Sequence, residues 1–347
     1  MNYAANVISA RARAMFGKSL TYDDYAAMMN CHSVSEIAAF LKNNTAYRTV
    51  LTDVNETTIH RGYLESRLRR RLWDCYAALI RFDQSAGKGL SDYLLQKEET
   101  VQLMALLRQM NVGRSQEHIL SLPAVFEGRT KLDLLAVNRA KSPAELIPAL
   151  SGTAYEKLLE PFRDCENGDL PLTRMETALY TALSERMLDI IAHSDRTMKQ
   201  EMTTLCGIQM DAQNVTRILR LKTYFHLPPE EIRPLLLPFS GAVPKRTWEA
   251  MLAAQPEEIP ALFFATGAGR HTPPSHRPYT YDLPERAVYF TARHYMHFST
   301  HPTVVLYSYL TIMETEVIDI INIIEGVRYQ LPPEEIKPML VLGLERL

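Results

Sequence analysis

The chain has 347 residues, of which 46% are hydrophobic and 22% are charged, and its formal net charge is -2. This length could hold two or three ordinary domains, and the composition is that of a globular protein with an ample core. A net charge so close to zero excludes a global electrostatic attraction to nucleic acid or to anionic lipid. The cysteines are far apart and form no Cys-x-x-Cys pair, so we expect reduced thiols in a cytoplasmic protein. They are Cys31, Cys75, Cys165 and Cys206.

No stretch of the sequence has the pattern of a membrane segment. Residues 1–20 lack the continuous apolar core of a signal peptide. The most apolar run, residues 304–313, is about half the length needed to cross a bilayer, and it contains Tyr307 and Thr311. The sequence therefore predicts a protein that does not span a membrane, although it could sit on one.

Helical periodicity begins after residue 20. Tyr25, Met28 and Met29 have the i, i+3, i+4 spacing of one helix face. Ser33 and Glu36 have the spacing of a capping box, in which each side chain accepts a hydrogen bond from the backbone of the other residue. This spacing predicts that a second short helix starts at Ser33.

Longer amphipathic segments follow, and their order repeats along the chain. Residues 64–82 and 98–110 predict two long helices, and residues 115–119, SQEHI, predict a further helix start. Similar segments return in the same order twice more. They are residues 142–155, 175–191 and 211–232 in the second pass, and residues 255–269, 284–298 and 316–336 in the third.

The most regular part of this recurrence is LPPEEI, which begins at Leu227 and again at Leu331. Two prolines followed by two glutamates predict the first turn of a helix, because carboxylates are favoured at the positive end of the helix dipole. Glu36, Glu145 and Glu258, which mark a second recurring segment, are 109 and 113 residues apart. Sustained alternation typical of strands is missing. The sequence therefore predicts an all-α protein with three homologous units of about 110 residues, namely 1–119, 120–232 and 233–347.

Several patterns that could indicate chemistry have a simpler structural interpretation. The glycine-rich residues 267–270, GAGR, do not follow a strand and lack the spacing of a nucleotide-binding loop. They align with turns in the other two passes, which favours a helix-ending turn at the start of an irregular stretch, 267–284. The basic residues of one predicted helix would spread around most of its circumference, so a solvated face is favoured over a contact with an acidic partner. These residues are Arg67, Arg69, Arg70 and Arg71.

Three histidines offer the one pattern compatible with a metal site. His294, His297 and His301 have the spacing i, i+3, i+7, and imidazoles on adjacent helical turns can share an ion. No acidic or cysteine fourth ligand is evident, and Pro302 is expected to end the helix near His301. The pattern therefore favours satisfied or exposed histidines, and we expect no cofactor.

With the three helical passes in view, the chain resembles the C subunit of bacterial and archaeal V/A-type ATPases, a family that includes the d subunit of eukaryotic V-ATPases. The resemblance covers the whole length and is best marked at residues 3–20, 211–222 and 325–336. It implies a funnel formed by three units around a pseudo-threefold axis. It also implies a non-catalytic central-rotor subunit that links the central-stalk subunits D and F to the membrane proteolipid ring. Such a protein would transmit torque for ATP-coupled proton or sodium transport from the cytoplasmic side of the membrane.

Polar residues of the second and third passes match the best-marked segments of this family. They could face the funnel and bind a partner, or they could hold neighbouring units together, and the sequence favours the second interpretation without excluding the first. These candidate residues are Asn214, Arg217, Arg220, Lys222, Glu316 and Asp319.

Two other functions stay open from the residues alone. A protein built of helical repeats can act as a scaffold in another cytoplasmic complex. A metal-dependent helical enzyme would use His294, His297 and His301. No short catalytic motif supports the latter.

Overall fold

The computed structural model describes residues 3–56, 59–80, 88–113, 120–237, 241–272 and 284–342. Every regular element within these ranges is a helix, which confirms the predicted all-α class. The α-helices are α1 (Tyr3–Phe16), α2 (Tyr22–Met29), α3 (Val34–Asn44), α4 (Arg48–Leu51), α5 (Arg61–Ile80), α6 (Lys88–Asn111), α7 (Leu134–Arg139), α8 (Pro143–Ala149), α9 (Ala154–Leu159), α10 (Leu172–Ala192), α11 (Arg196–Phe225), α12 (Pro229–Ile232), α13 (Lys245–Ala253), α14 (Ile259–Phe264), α15 (Glu285–Phe298), α16 (Pro302–Arg328) and α17 (Pro333–Ile336).

At the start of α3, one of the two hydrogen bonds of the predicted capping box is present. The Ser33 hydroxyl accepts a hydrogen bond from the backbone N–H of Glu36, at 3.1 Å. The Glu36 carboxylate accepts from the backbone N–H of His32, at 2.8 Å, and not from that of Ser33. Both bonds satisfy donors at the helix start that have no partner within the helix. The helix therefore begins where the sequence predicts.

Both LPPEEI segments form helix starts, as predicted. Pro229 and Pro333 are the first residues of α12 and α17, where a missing N–H costs nothing. The isoleucines that end these helices, Ile232 and Ile336, are fully buried. Gly326 of α16 makes room for one of them, since a Cβ at this glycine would lie 2.6 Å from Cγ1 of Ile336. The proposed first copy, SQEHI, lies outside the described residues.

The predicted turn at GAGR is a 3-10 helix, Gly267–His271, that follows α14. Gly269 is required there, because a Cβ would lie 2.0 Å from the carbonyl oxygen of Phe264. The chain therefore turns tightly over the end of the preceding helix. The rest of the predicted irregular stretch, except residues 272 and 284, lies outside the described residues.

The residue contacts divide the chain into two compact bodies. The first, here called the major body, consists of the described residues within Met1–Ala86, Asp195–Leu227 and Ser240–Leu347. The second, the minor body, consists of those within Gly87–Ser194 and Pro228–Phe239. These boundaries follow packing, whereas the boundaries at residues 119 and 232 follow recurrence in the sequence. The division into three repeats stays a prediction.

The core of the major body brings together distant parts of the sequence. Side chains of α2, α3 and α5 pack against α16 and α17, and examples are Met28, Leu41, Leu64, Ile320 and Ile336, all fully buried. The short helices of the first predicted repeat thus share a core with the long helix of the third. In the same body, α14 of the third repeat packs against α11 of the second.

The minor body shows the same relation between neighbouring repeats. Its core joins Leu103 and Leu107 of α6 to Ile147 of α8, Tyr155 of α9 and Leu179 of α10. The short helices of the second repeat therefore pack on the long helix of the first. In each case the short helices of one repeat contact the last long helix of another.

The most apolar run of the sequence is a core segment. Residues 304–313 form part of α16, and each of them is buried. Within the ranges that the structure describes, no helix combines the length and the apolar character required to cross a membrane.

Candidate functional site

The six candidate residues lie on two long helices of the major body. Asn214, Arg217, Arg220 and Lys222 are on α11, whereas Glu316 and Asp319 are on α16. Asn214, Arg217, Glu316 and Asp319 are buried, and Arg220 and Lys222 are partly buried.

Asp319 fixes the segment that follows the second LPPEEI. Its two carboxylate oxygens accept hydrogen bonds from the backbone N–H groups of Val341, at 2.9 Å, and Leu342, at 2.7 Å. The buried Arg286 donates to the carbonyl oxygen of Leu340, at 2.9 Å. Burial raises the pKa of Asp319 to about 7, and the two backbone hydrogen bonds and the charge of Arg286 oppose that rise. An acid and a base thus satisfy three backbone groups of a segment that is not helical.

Asp211 of α11 holds the segment that follows the first LPPEEI, as Asp319 holds the segment after the second. Its carboxylate accepts from the backbone N–H groups of Gly241, Ala242 and Val243, at 2.7–3.1 Å. A Cβ at Gly241 would lie 2.3 Å from the backbone carbon of Gly207, so the segment crosses directly over the helix. Burial raises the pKa of Asp211 to about 6. Sequence patterns did not single out this residue, although its place before LPPEEI resembles that of Asp319.

Glu316 connects α16 to the first repeat. One carboxylate oxygen accepts from the backbone N–H of Leu20, at 2.9 Å, and the other from the hydroxyl of Tyr47, at 2.8 Å. Burial raises the pKa of Glu316 and also that of Tyr47. These hydrogen bonds join the segment before α2 and the residue before α4 to α16, the long helix of the third repeat.

Glu99 of α6 makes the corresponding contact in the minor body. It accepts from the hydroxyl of Tyr155, at 2.8 Å, and from that of Thr130, at 2.6 Å. Tyr155 and Tyr47 occupy the same place in the recurring Thr-Ala-Tyr sequences at residues 153–155 and 45–47. Burial raises the pKa of Glu99. The recurring tyrosine is the feature of the sequence that could have indicated this contact. By itself, however, it shows only that the two segments align.

Lys222 also binds within the major body. Its ammonium group donates to the carbonyl oxygen of Ala254 at the end of α13, at 2.6 Å, and burial lowers its pKa. The contacts of Lys222, Glu316 and Asp319 each join a long helix to another segment of the same body. Whether these residues or Asn214, Arg217 and Arg220 bind a partner stays a prediction.

The arginine cluster of α5 has partners within the chain. Arg71 is buried, donates to the carbonyl oxygen of Ala46 at 2.6 Å, and places its guanidinium 4.7 Å from the centre of the Tyr47 ring. The other three arginines lie beside carboxylates. These ion pairs are Arg67–Asp53, Arg69–Glu65 and Arg70–Asp74.

The three histidines face three different neighbours. His294 stacks on His271, with ring centroids 4.2 Å apart, and His297 meets the Phe16 ring edge-on. His301 lies outside α15, which ends at Phe298, and its Nε2 is 2.8 Å from a carboxylate oxygen of Asp195. Pro302 starts α16 instead of ending the helix that carries the first two histidines. Among the described residues, no three histidine, cysteine or acidic side chains are grouped closely enough to hold a metal ion.

A cleft of about 580 Å³ in the minor body lies beside Glu99 and Tyr155. Two arginines at its border are paired with acids of the same body, Arg129 with Asp92 at 2.8 Å and Arg186 with an aspartate one turn away at 3.0 Å. The first pair joins a turn to α6 and the second lies within α10, so both arginines serve contacts inside the minor body.

Together these features define a class of protein, an all-helical protein in which buried carboxylates of long helices hold shorter segments in place. The chain belongs to the ATP synthase (C/AC39) subunit family, whose family model matches residues 8–339. The resemblance derived from the sequence is thereby confirmed.

Three relatives share a description, each being the C subunit of an A-type ATP synthase. The protein of Methanosphaera stadtmanae is 24% identical over 254 residues, which are 73% of this chain and 63% of the relative. That of Desulfurococcus sp. (strain SY) is 24% identical over 231 residues, 66% of this chain and 60% of the relative. That of Methanosarcina mazei is 26% identical over 238 residues, 68% of this chain and 63% of the relative. The matched part thus spans less than two thirds of each of these relatives.

Proposed function

We propose that the chain is the non-catalytic central-rotor subunit of a V/A-type rotary ATPase. In this role it links the central-stalk subunits D and F to the membrane proteolipid ring and transmits torque for ATP-coupled proton or sodium transport. The observation that carries the proposal is the match of the ATP synthase (C/AC39) subunit family to residues 8–339. The names of the A-type ATP synthase relatives support it.

The internal packing is compatible with transmission of torque. A part that carries load needs segments whose positions do not slip, and buried hydrogen-bonded carboxylates define positions more narrowly than apolar contacts do. Asp211 and Asp319 each hold the segment that follows an LPPEEI turn. Glu99 and Glu316 each hold a tyrosine of another repeat.

The predicted pseudo-threefold funnel is part of this proposal. Within each body, short helices of one repeat pack on the long helix of another. The first repeat packs on the third, the second on the first, and the third on the second. The central opening would receive the foot of the stalk.

We further propose that the protein works on the cytoplasmic side of the membrane, as a peripheral part of the complex. ATP hydrolysis or synthesis would take place in other subunits. The six candidate residues on α11 and α16 would then hold the structure together from within: Lys222 and Glu316 bond to groups of other repeats, and Asp319 bonds to a later segment of its own repeat.

Reconstitution tests the function directly. Purified D–F stalk and purified proteolipid ring from the same cells would be mixed with and without this chain, and attachment of the stalk to the ring would be measured by co-sedimentation. We expect attachment only when the chain is present, with no ATPase activity from the chain alone. Equal attachment without the chain, or a chain that binds neither component, would contradict the proposal.

A further inference from the structure

The cleft of the minor body has the size and the lining of a binding site for a small molecule. Its volume of about 580 Å³ lies within the range of about 300–1,000 Å³ that is usual for ligand pockets. Part of its wall is apolar, and Leu158 of this wall is only partly buried. An apolar group placed in the cleft would therefore be removed from water. The leucines of the wall are Leu95, Leu132, Leu158, Leu179 and Leu183.

Three basic side chains border the same cleft, and two of them keep donors that the chain does not use. Arg129 is paired with Asp92, at 2.8 Å. Arg186 binds Asp189 through Nη1, but its Nε is buried without a hydrogen-bond partner. Lys131 is exposed, and its ammonium group has no hydrogen-bond or ion-pair partner in the part of the chain that the structure describes. Positive charge and unused donors thus remain at the border of the cleft.

The acidic groups of the cleft do not offset this charge. Besides the aspartate paired with Arg129, the acid among the described lining residues is Glu99. Its carboxyl group accepts hydrogen bonds from the hydroxyls of Tyr155 and Thr130, and burial raises its pKa. A carboxyl group with a raised pKa carries less negative charge at a given pH and opposes a nearby anion less. The cleft therefore combines an apolar wall with a cationic border.

We propose that this cleft binds a small organic anion, with the phosphate or carboxylate group of the ligand at Lys131 and Arg186 and its apolar part against the leucines. Ammonium and guanidinium groups both form strong hydrogen bonds to phosphate and carboxylate oxygens. A buried donor without a partner costs free energy, so Arg186 gains when its guanidinium turns toward a bound anion. The site is additional to the proposed function, and neither proposal depends on the other.

Calorimetric titration of the full-length chain with model anions tests the site. Hexyl phosphate and hexanoate carry both parts of the ligand, whereas inorganic phosphate and hexanol carry one part each. We expect at least one of the two six-carbon anions to bind about tenfold more tightly than either fragment, because burial of about two methylene groups gives that factor. The tighter of the two identifies phosphate or carboxylate as the anionic group of the ligand.

Substitutions then separate the cationic border from the apolar wall. Lys131→Gln should weaken binding of the tighter six-carbon anion about tenfold, because a hydrogen bond between charged groups contributes about that factor. The matched control is Lys141→Gln, the same change at an exposed lysine of the minor body that does not line the cleft. It should bind like wild type. Leu158→Ala should weaken binding of the six-carbon anion and leave that of inorganic phosphate unchanged. Circular dichroism should show unchanged helix content in each variant.

Three results would overturn the site. The first is that neither six-carbon anion binds more tightly than hexanol and inorganic phosphate. The second is that Lys131→Gln binds the anion like wild type. The third is that Lys131→Gln keeps its affinity for the anion but no longer attaches the stalk to the ring, which would assign Lys131 to a protein partner. Failure of the wild-type chain in the stalk and ring reconstitution, with anion binding as expected, would contradict the proposed function alone.

Discussion

Asp319 is the residue for which the structure gives the sharpest prediction. Its buried carboxylate binds two backbone N–H groups, and its pKa is raised to about 7 from an ordinary 3.8. The Asp319→Asn variant removes the titrating group and keeps the shape of the side chain. It also turns an amide NH₂ toward one of two N–H donors, which costs one hydrogen bond at every pH.

The direction of the pH dependence follows from proton binding. Between about pH 4 and pH 7 the folded state holds a proton on Asp319 that the unfolded state has released. The stabilisation is therefore fully present below about pH 4 and is lost as the pH rises toward 7. The shift from 3.8 to about 7 corresponds to about 4 kcal/mol in total, of which about 3 kcal/mol is lost between pH 5 and pH 8.

Fluorescence can follow the major body alone. Both tryptophans of the chain, Trp73 on α5 and Trp248 on α13, belong to that body. Urea unfolding of wild type and Asp319→Asn, monitored by tryptophan emission at pH 5 and pH 8, should show a smaller pH-dependent change in the variant, by about 3 kcal/mol. The control is Asp74→Asn, because Asp74 has an exposed side chain in the same body. Its pH dependence should match that of wild type.

Two results would refute this reasoning. If the change in unfolding free energy between pH 5 and pH 8 is the same in wild type and in Asp319→Asn, the carboxyl group does not hold a proton in the folded state. If wild type instead gains stability over the variant as the pH rises from about 2 to about 4, the carboxylate is held ionised in the folded state. Either outcome would mean that Arg286 and the backbone donors offset or outweigh burial at this site.

Three further predictions concern local contacts. Tyr155→Phe should destabilise the minor body by about 1–3 kcal/mol, because Glu99 loses a buried donor, and Tyr47→Phe should do the same in the major body; urea unfolding measures both. Gly326→Ala should cost about 1–3 kcal/mol through the clash with Ile336, whereas Gly62→Ala, with open space at its Cβ, should be neutral or stabilising in thermal unfolding. Gln330→Gly should raise stability by up to about 1 kcal/mol by relieving the left-handed backbone, and an unchanged unfolding midpoint would count against that strain.

Local patterns predicted the helices well, because their signals lie within a few residues. The Ser33 cap, the two LPPEEI starts and the long amphipathic helices depend on spacing and on the chemistry of helix ends. The family resemblance rested on such segments taken in order, and the match over residues 8–339 confirmed it.

Contacts between distant segments could not be predicted in the same way. Nothing near Asp211 in the sequence shows that it will bind Gly241, and Tyr47 is 269 residues from Glu316. The sequence selected Glu316 and Asp319 for their place in a family-like segment, but the groups that they bind depend on how helices cross. The spacing of the three histidines could not show that they lie on different elements, since α15 ends before His301.

The buried carboxylates raise the question of what they contribute, since burial of a charge opposes stability. Apolar side chains in their place could fill the same volume, and buried polar groups are often replaceable without loss of stability. The segments that Asp211 and Asp319 hold are not helical, however, and their N–H groups would be left without partners beneath an apolar replacement. These carboxylates therefore determine where the chain crosses each long helix after LPPEEI. A small loss of stability gives one defined crossing, which the proposed transmission of torque would require more than a larger free energy of unfolding.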